Sequence, residues 1–280
     1  MQPPPRSDQV TVATLNTLGL HIIKTRLPTR YKLIADAFEA GDADVVCVQE
    51  VATYWHLRLL ARRMPSFRYA GYRRGRLGPA GALVTFSRRP VAAVEYHRIG
   101  PPPGAPGVAR LPLRNRLTAR LRGAIVTRLA GNGPAARELT VVNTHTTSNK
   151  DGDWSPANRH YLVQRSQLAA LATVIRSISG PAVLCGDFNI PRDSALFAGF
   201  LADCGLSDAF GGTCPPTYRP EYLKAGAIAY CVDFILTSPG LRPQSRGLLL
   251  RDKHPAVPAP GYLSDHVGLT ATLSLPSAVA

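Results

Sequence analysis

Ala182-Val183-Leu184-Cys185-Gly186-Asp187-Phe188-Asn189 runs from four apolar residues into a glycine, a carboxylate and an amide. The apolar part reads as a short buried strand. Gly186-Asp187-Phe188-Asn189 taken alone reads equally well as an ordinary turn. The same design recurs along the chain. Val12-Ala13-Thr14-Leu15-Asn16 ends an apolar run on Asn16, and Val45-Val46-Cys47-Val48-Gln49-Glu50 ends one on Glu50. Thr140-Val141-Val142-Asn143-Thr144-His145 ends another on His145. Asp233 begins the run Asp233-Phe234-Ile235-Leu236, and Ser264-Asp265-His266 precedes the last apolar run. In α/β proteins the carboxyl ends of strands commonly open onto the site.

Outward from these runs, strands are expected over 10–15, 45–48, 82–86, 124–129, 139–143, 182–185, 232–236 and 267–273. Leu33, Ile34, Ala37 and Phe38 make one apolar helical face that Gly41 ends. Helical spacing over 161–178 stops at Gly180-Pro181, and a short helix over 194–201 has Asp193 as its expected N-cap. Strands alternate with helices early and pair in the middle, which predicts a mixed α/β fold. Residues 98–118, rich in Pro, Gly and Arg, read as a surface loop. One domain is expected over 10–275, with tails at 1–9 and 276–280.

Of the 280 residues 45% are hydrophobic, enough for one large core. No stretch approaches the ~18 uninterrupted apolar residues of a membrane span. No apolar run precedes the first strand, so no secretory signal is expected and a cytoplasmic location is the simpler reading. Five cysteines lack metal-site spacing; Cys47, Cys185 and Cys231 read as small core residues, and Cys204 with Cys214 as a conceivable pair. The net charge of +15 favours polyanions, but 28 of the 33 basic residues are arginine, a bias that coding composition also produces. A monomer without an obligate protein partner is expected.

The six polar motifs, in this order and over nearly the whole chain, resemble the endonuclease/exonuclease/phosphatase superfamily, whose members include DNase I-like nucleases. The resemblance implies a four-layer α/β sandwich with two packed mixed β-sheets. It implies phosphoester hydrolysis with Mg²⁺, or Mn²⁺, because a hard cation neutralises the anionic ester and prefers oxygen ligands. Glu50 is the implied principal ligand, with Asn16 and Asp265 helping directly or through water. Asp187 is implied to orient and partly deprotonate the attacking water, with Asn189 fixing position. His266 would contact phosphate or take a proton, oriented by Asp233, and His145 would stabilise charge on the phosphate oxygens. Either Asp187 or His266 fits as the base. Thr217 matches a position near the site, Arg165 reads as a brace for acidic residues, and Trp154 as a substrate-facing aromatic or a loop anchor.

Within the superfamily, three stretches are similar to neutral sphingomyelinases. They are the Asn16 turn followed by Arg26 and Arg30, the run from Gly81 to Pro90, and Tyr161-Leu162-Val163-Gln164-Arg165. The expected partner is a phosphorylated substrate, either a phosphodiester lipid, a nucleic acid or a small phosphate ester. A phosphodiesterase for a lipid or small diester comes first. A nuclease using Arg110, Arg114, Arg116, Arg120 and Arg122 along a backbone is the alternative, then a metabolite phosphomonoesterase, then a non-catalytic scaffold. The loops expected to decide are 68–79, 100–118, 146–158 and 215–227.

Overall fold

The computed structural model describes residues 9–19, 26–102, 104–131 and 138–275. Among these, β1 (Gln9–Asn16), β2 (Val45–Gln49), β3 (Tyr69–Gly71), β4 (Val84–Ser87), β11 (Arg242–Leu249) and β12 (Gly268–Ser274) form one sheet, in the order β11-β12-β1-β2-β4-β3. The other contains β5 (Val91–Arg98), β6 (Gly123–Leu129), β7 (Leu139–His145), β8 (Ala182–Asp187), β9 (Ser207–Asp208) and β10 (Asp233–Thr237), in the order β5-β6-β7-β8-β10-β9. Each sheet has one parallel pair at its centre, β1 with β2 and β7 with β8, and its other pairs are antiparallel.

The layers follow from side-chain alternation. In β1, Ala13 and Leu15 face the helices α1 (Leu27–Ala40) and α2 (Tyr54–Ala61), packing with Tyr31, Ile34, Phe38 and Leu60. Val10 and Val12 face the other way and meet Val45, Cys47, Val141, Val183 and Cys185 between the sheets. Beyond the second sheet, Val142, Leu184, Phe234 and Leu236 pack on α4 (Tyr161–Arg176) and α5 (Ala195–Cys204). The result is helix, sheet, sheet, helix, as the resemblance implied.

Several sequence expectations need correction. The α1 face runs through Leu27, Tyr31, Ile34 and Phe38, while Ala37 is exposed. Ser194, not Asp193, caps α5; its hydroxyl accepts from the Phe197 amide. Ala82 lies outside β4, at φ 57°. The expected surface loop over 98–118 contains part of a helix, α3 (Leu113–Arg120). Elements with no expectation are β3, β5, β9, β11 and α2, four of them edge or near-edge strands that lack a buried apolar run. All five cysteines are free thiols, and Cys214 neighbours Cys231 rather than Cys204. The tails expected at 1–9 and 276–280 lie outside the described residues, except Gln9, which begins β1. No helix among the described residues is long and apolar enough to cross a membrane.

Between the sheets the apolar filling gives way to a polar layer towards one edge. Gln49 Nε2 donates to Asn143 Oδ1 at 2.8 Å and to Thr14 Oγ1 at 3.1 Å, joining the two sheets side chain to side chain. Asn143 Nδ2 donates in turn to the Val48 and Val84 carbonyls. All three side chains are fully buried. Buried polar groups are stable only when paired, so each deletion orphans several others. Asn143→Ala should therefore lower unfolding stability by about 2–4 kcal/mol, measured by chemical denaturation. A loss within the error of the measurement would mean that the cross-sheet amide pair contributes nothing.

Candidate active site

One register step beyond the Gln49–Asn143 layer, the same inward-facing positions carry the site. Val10, Val12, Thr14 and Asn16 are successive inward residues of β1; Leu139, Val141, Asn143 and His145 are those of β7; Val183, Cys185 and Asp187 those of β8. Asp233 heads β10 directly opposite Asp187, and His145 pairs beside it. The apolar residues of each strand thus anchor the polar residue at its end. Asp187, His145, Asp233 and His266 are almost completely buried.

Asp187 is the centre. Its Oδ2 accepts from Asn16 Nδ2 at 2.9 Å and lies 3.2 Å from His145 Nε2 and 3.7 Å from His266 Nε2. Its Oδ1 accepts from the Asn189 amide at 2.9 Å. Burial acts to raise its pKa most strongly, but His266, His145 and Asn16 together outweigh burial and hold the carboxyl well below the usual range. His266 Nδ1 is 2.8 Å from Asp233 Oδ2. Burial acts to lower the imidazole pKa, yet the charges of Asp233 and Asp187 push it well above its ordinary value. The two shifts favour the charged forms, a carboxylate at Asp187 and an imidazolium at His266, while burial pushes the Asp233 carboxyl up.

Asn16 also points Nδ2 to Glu50 Oε1 at 3.5 Å, so one amide spans the Glu50 and Asp187 carboxylates. Ser264 Oγ donates to the Asn16 carbonyl at 2.5 Å and contacts Asp265 Oδ1 at 3.3 Å, which ties the Asp265 turn to the end of β1. Arg30, buried, donates to the Thr17, Leu18 and Leu263 carbonyls and clamps both segments. Glu50 and Asn189 adopt left-handed backbone, φ 66° and 52°. Such conformations cost on the order of 1–3 kcal/mol and cluster at functional sites. Gly186 at φ 148° is required in β8, because a Cβ there would lie 2.0 Å from the Thr144 carbonyl oxygen.

The remaining sequence-predicted residues sort clearly. Thr217 Oγ1 accepts from the Val232 and Asp233 amides, at 2.9 and 3.1 Å, and so fixes the start of β10. Trp154 lies edge-on to Tyr230 and donates from Nε1 to the Asn189 carbonyl at 3.0 Å, which is the loop-anchor arrangement. Arg165 is not part of the cluster: it is exposed on α4, its guanidinium over the Tyr161 ring. Its neighbour Gln164 does what the sequence reading assigned to no residue, donating to the Thr147 and Asn189 carbonyls. Of the arginines named for backbone tracking, Arg122 is buried, its charge facing Glu50 and Asp187 and its Nε without a hydrogen-bond partner. Arg110, Arg114, Arg116 and Arg120 are exposed. Arg122 carried no separate signal in the sequence, because it is one arginine in a run of them.

Among the His, Cys, Asp and Glu side chains of the described residues, the trio Asp187, Asp233 and His266 brings three ligand atoms within 4.8 Å of one another. This differs from the expected set of Asn16, Glu50 and Asp265. Two of its three members are already hydrogen-bonded to each other. The Asn16, Glu50, Asp187 and Asp265 side offers oxygen donors alone, the chemistry that suits a hard divalent cation.

The layers, the paired sheets and an acid–imidazole centre at the strand ends define the DNase I-like α/β sandwich class. Residues 13–266 match the endonuclease/exonuclease/phosphatase family model, and the chain belongs to that family. Among solved structures it is similar to SmcL, at 20% identity and TM-score 0.72, covering 95% of this chain and 99% of that one. Beta toxin from Staphylococcus aureus aligns at 16% identity and TM-score 0.71, covering 94% and 99%. D. rerio TDP2, in a structure complexed with a single-strand DNA product, aligns at 18% and 0.68, covering 95% and 99%. None of the curated proteins compared matches the chain by sequence.

Two outcomes test the site's internal construction. Thr217→Val should lose about 1–3 kcal/mol, with Thr217→Ser close to wild type, by denaturant unfolding; equal losses would mean that the hydroxyl is idle. His266 has a raised folded-state pKa, so its stabilisation is complete below the unfolded-state value of about 6.5. It fades as pH rises through the folded-state value. The stability gap between wild type and His266→Asn, measured in EDTA, should therefore narrow as pH rises above that unfolded-state value; a widening gap would reverse the assignment.

Proposed function

We propose that the chain is a Mg²⁺-dependent phosphodiesterase that hydrolyses its ester by attack of an activated water on phosphorus. The observation that carries this reading is the buried Asp187 carboxylate, held between an amide and two imidazoles at the shared edge of two sheets. Glu50, with Asn16 and Asp265, would hold the cation, Mg²⁺ or Mn²⁺, on the all-oxygen side. When bound there it supplies charge neutralisation for the phosphate.

The contact of His266 Nδ1 with Asp233, which leaves Nε2 towards Asp187, supports dividing the roles that the sequence left open. Asp187 is the proton acceptor and orients the attacking water, with Asn189 at its side fixing position. His266, oriented by Asp233, donates towards phosphate oxygen from Nε2. His145 Nε2 faces Asp187, which supports reading His145 as a holder of that carboxylate before a contact to phosphate. Arg122 adds a buried positive charge behind Glu50 and Asp187. Thr217 and Trp154 position Asp233 and Asn189, and neither is proposed to contact substrate.

A diester of a lipid or small molecule ranks first, on the resemblance of three stretches to neutral sphingomyelinases. A nucleic-acid substrate is the second reading, favoured by the net charge of +15. Turnover is expected with Mg²⁺ on a panel of sphingomyelin, bis-p-nitrophenyl phosphate, plasmid DNA, single-stranded RNA and sugar phosphates. It should vanish in EDTA and fall by about 10³-fold or more in Asp187→Ala. Activity that survives both changes would sink the proposal, and preference for a monoester would overturn the diester reading.

A further inference from the structure

Helix α3 is built inside out. Taken at 100° per residue, its Asn115, Thr118 and Ala119 turn towards the protein, whereas Leu113, Leu117 and Leu121 form one stripe. Ala119 is fully buried and Asn115 Nδ2 donates to the Ser148 carbonyl at 3.0 Å, while the three leucines are 68, 59 and 64% exposed. A surface helix of a globular protein normally does the reverse. Arg114 flanks the stripe on one side, and Arg116 and Arg120 flank it on the other; all three are exposed.

The stripe is not isolated. Leu77 and Ile228, 76 and 67% exposed, are the other most exposed large apolar residues described. All these side chains belong to segments that enter the sheets at the site edge. The α3 segment leads into β6, whose Ala124 pairs with Thr144 beside His145. The Leu77 loop leads into β4, whose Val84 pairs with Val48 beside Gln49. The Ile228 loop leads into β10, where Asp233 pairs with Asp187. An edge that carries both the acid–imidazole centre and the exposed leucines suits a partner with an apolar interior and an anionic face.

We propose that this edge docks on an anionic lipid bilayer, with Leu113, Leu117 and Leu121 entering the acyl boundary and the flanking arginines meeting acidic headgroups. Leucines exposed in one stripe, the last at the C-cap of α3, with arginines beside them suit the boundary between acyl chains and acidic headgroups. A nucleic-acid backbone would satisfy the arginines but leave the leucines in water. Docking does not rest on the hydrolase reading, since it is measured without turnover.

The test is flotation of the purified chain with vesicles of phosphatidylcholine, with and without phosphatidylserine. The protein should float with phosphatidylserine-containing vesicles and much less with phosphatidylcholine alone. L113S/L117S/L121S should lower the partition coefficient by about tenfold or more, with an unchanged thermal melt, because the removed side chains are exposed. R114E/R120E should erase the preference for phosphatidylserine. Wild-type protein that stays unbound, or a leucine variant that floats like wild type, overturns the proposal. Loss of fluorescent duplex DNA binding in R114E/R120E, with no vesicle binding by wild type, reassigns the edge to nucleic acid and overturns it too.

Discussion

The charge on Asp187 is the constraint around which the site is assembled. A carboxylate taken out of water is costly unless hydrogen bonds and opposite charge replace its hydration. Here the replacements come from separate parts of the chain: Asn16 from β1, His145 from β7, the Asn189 amide beyond β8, and His266 from the turn before β12. Most of these groups are in turn fixed by another. Asp233 holds His266, Thr217 holds the start of β10, Trp154 and Gln164 hold Asn189, and Arg30 clamps the turn after Asn16 to the Leu263 segment. Asn16, Asn189 and His266 are thus held from behind, while His145 Nδ1 and Asp233 Oδ1 are buried without a hydrogen-bond partner.

Period two connects that network to the core. The residues that fill the space between the sheets and those that form the site occupy the same side of the same strands. Along β1 and β7 the inward face changes from Val or Leu, through Thr14 or Asn143, to Asn16 and His145, and in β8 Val183 and Cys185 lead directly to Asp187. A one-residue slip would turn both the apolar filling and the site outward. The cross-sheet pair of Gln49 and Asn143 sits at the change from apolar to polar and links the two sheets where their separation decides the distances above it. Fold stability and site geometry therefore depend on one register, and the exposed leucines of α3 lie on the same edge without belonging to either.

The sequence by itself determined the central strands, their polar ends and the family pattern that those ends make. Apolar runs flanked by glycine and acidic residues are local signals, and they persist because the central strands are buried on both faces. Asn16, Glu50, His145, Asp187, Asn189, Asp233, Asp265 and His266 were all legible in this way as a set. The edge strands β3, β5 and β11 were not, because a strand facing solvent needs no apolar run. Only the tertiary structure decided which neighbour each polar group has. It made Thr217 and Trp154 supports, set Arg165 on the surface, turned Arg122 inward and faced the α3 leucines outward. A residue's spacing gives the face it occupies within its own element. What lies across from that face depends on the packing of segments far apart in the chain, which no local pattern encodes.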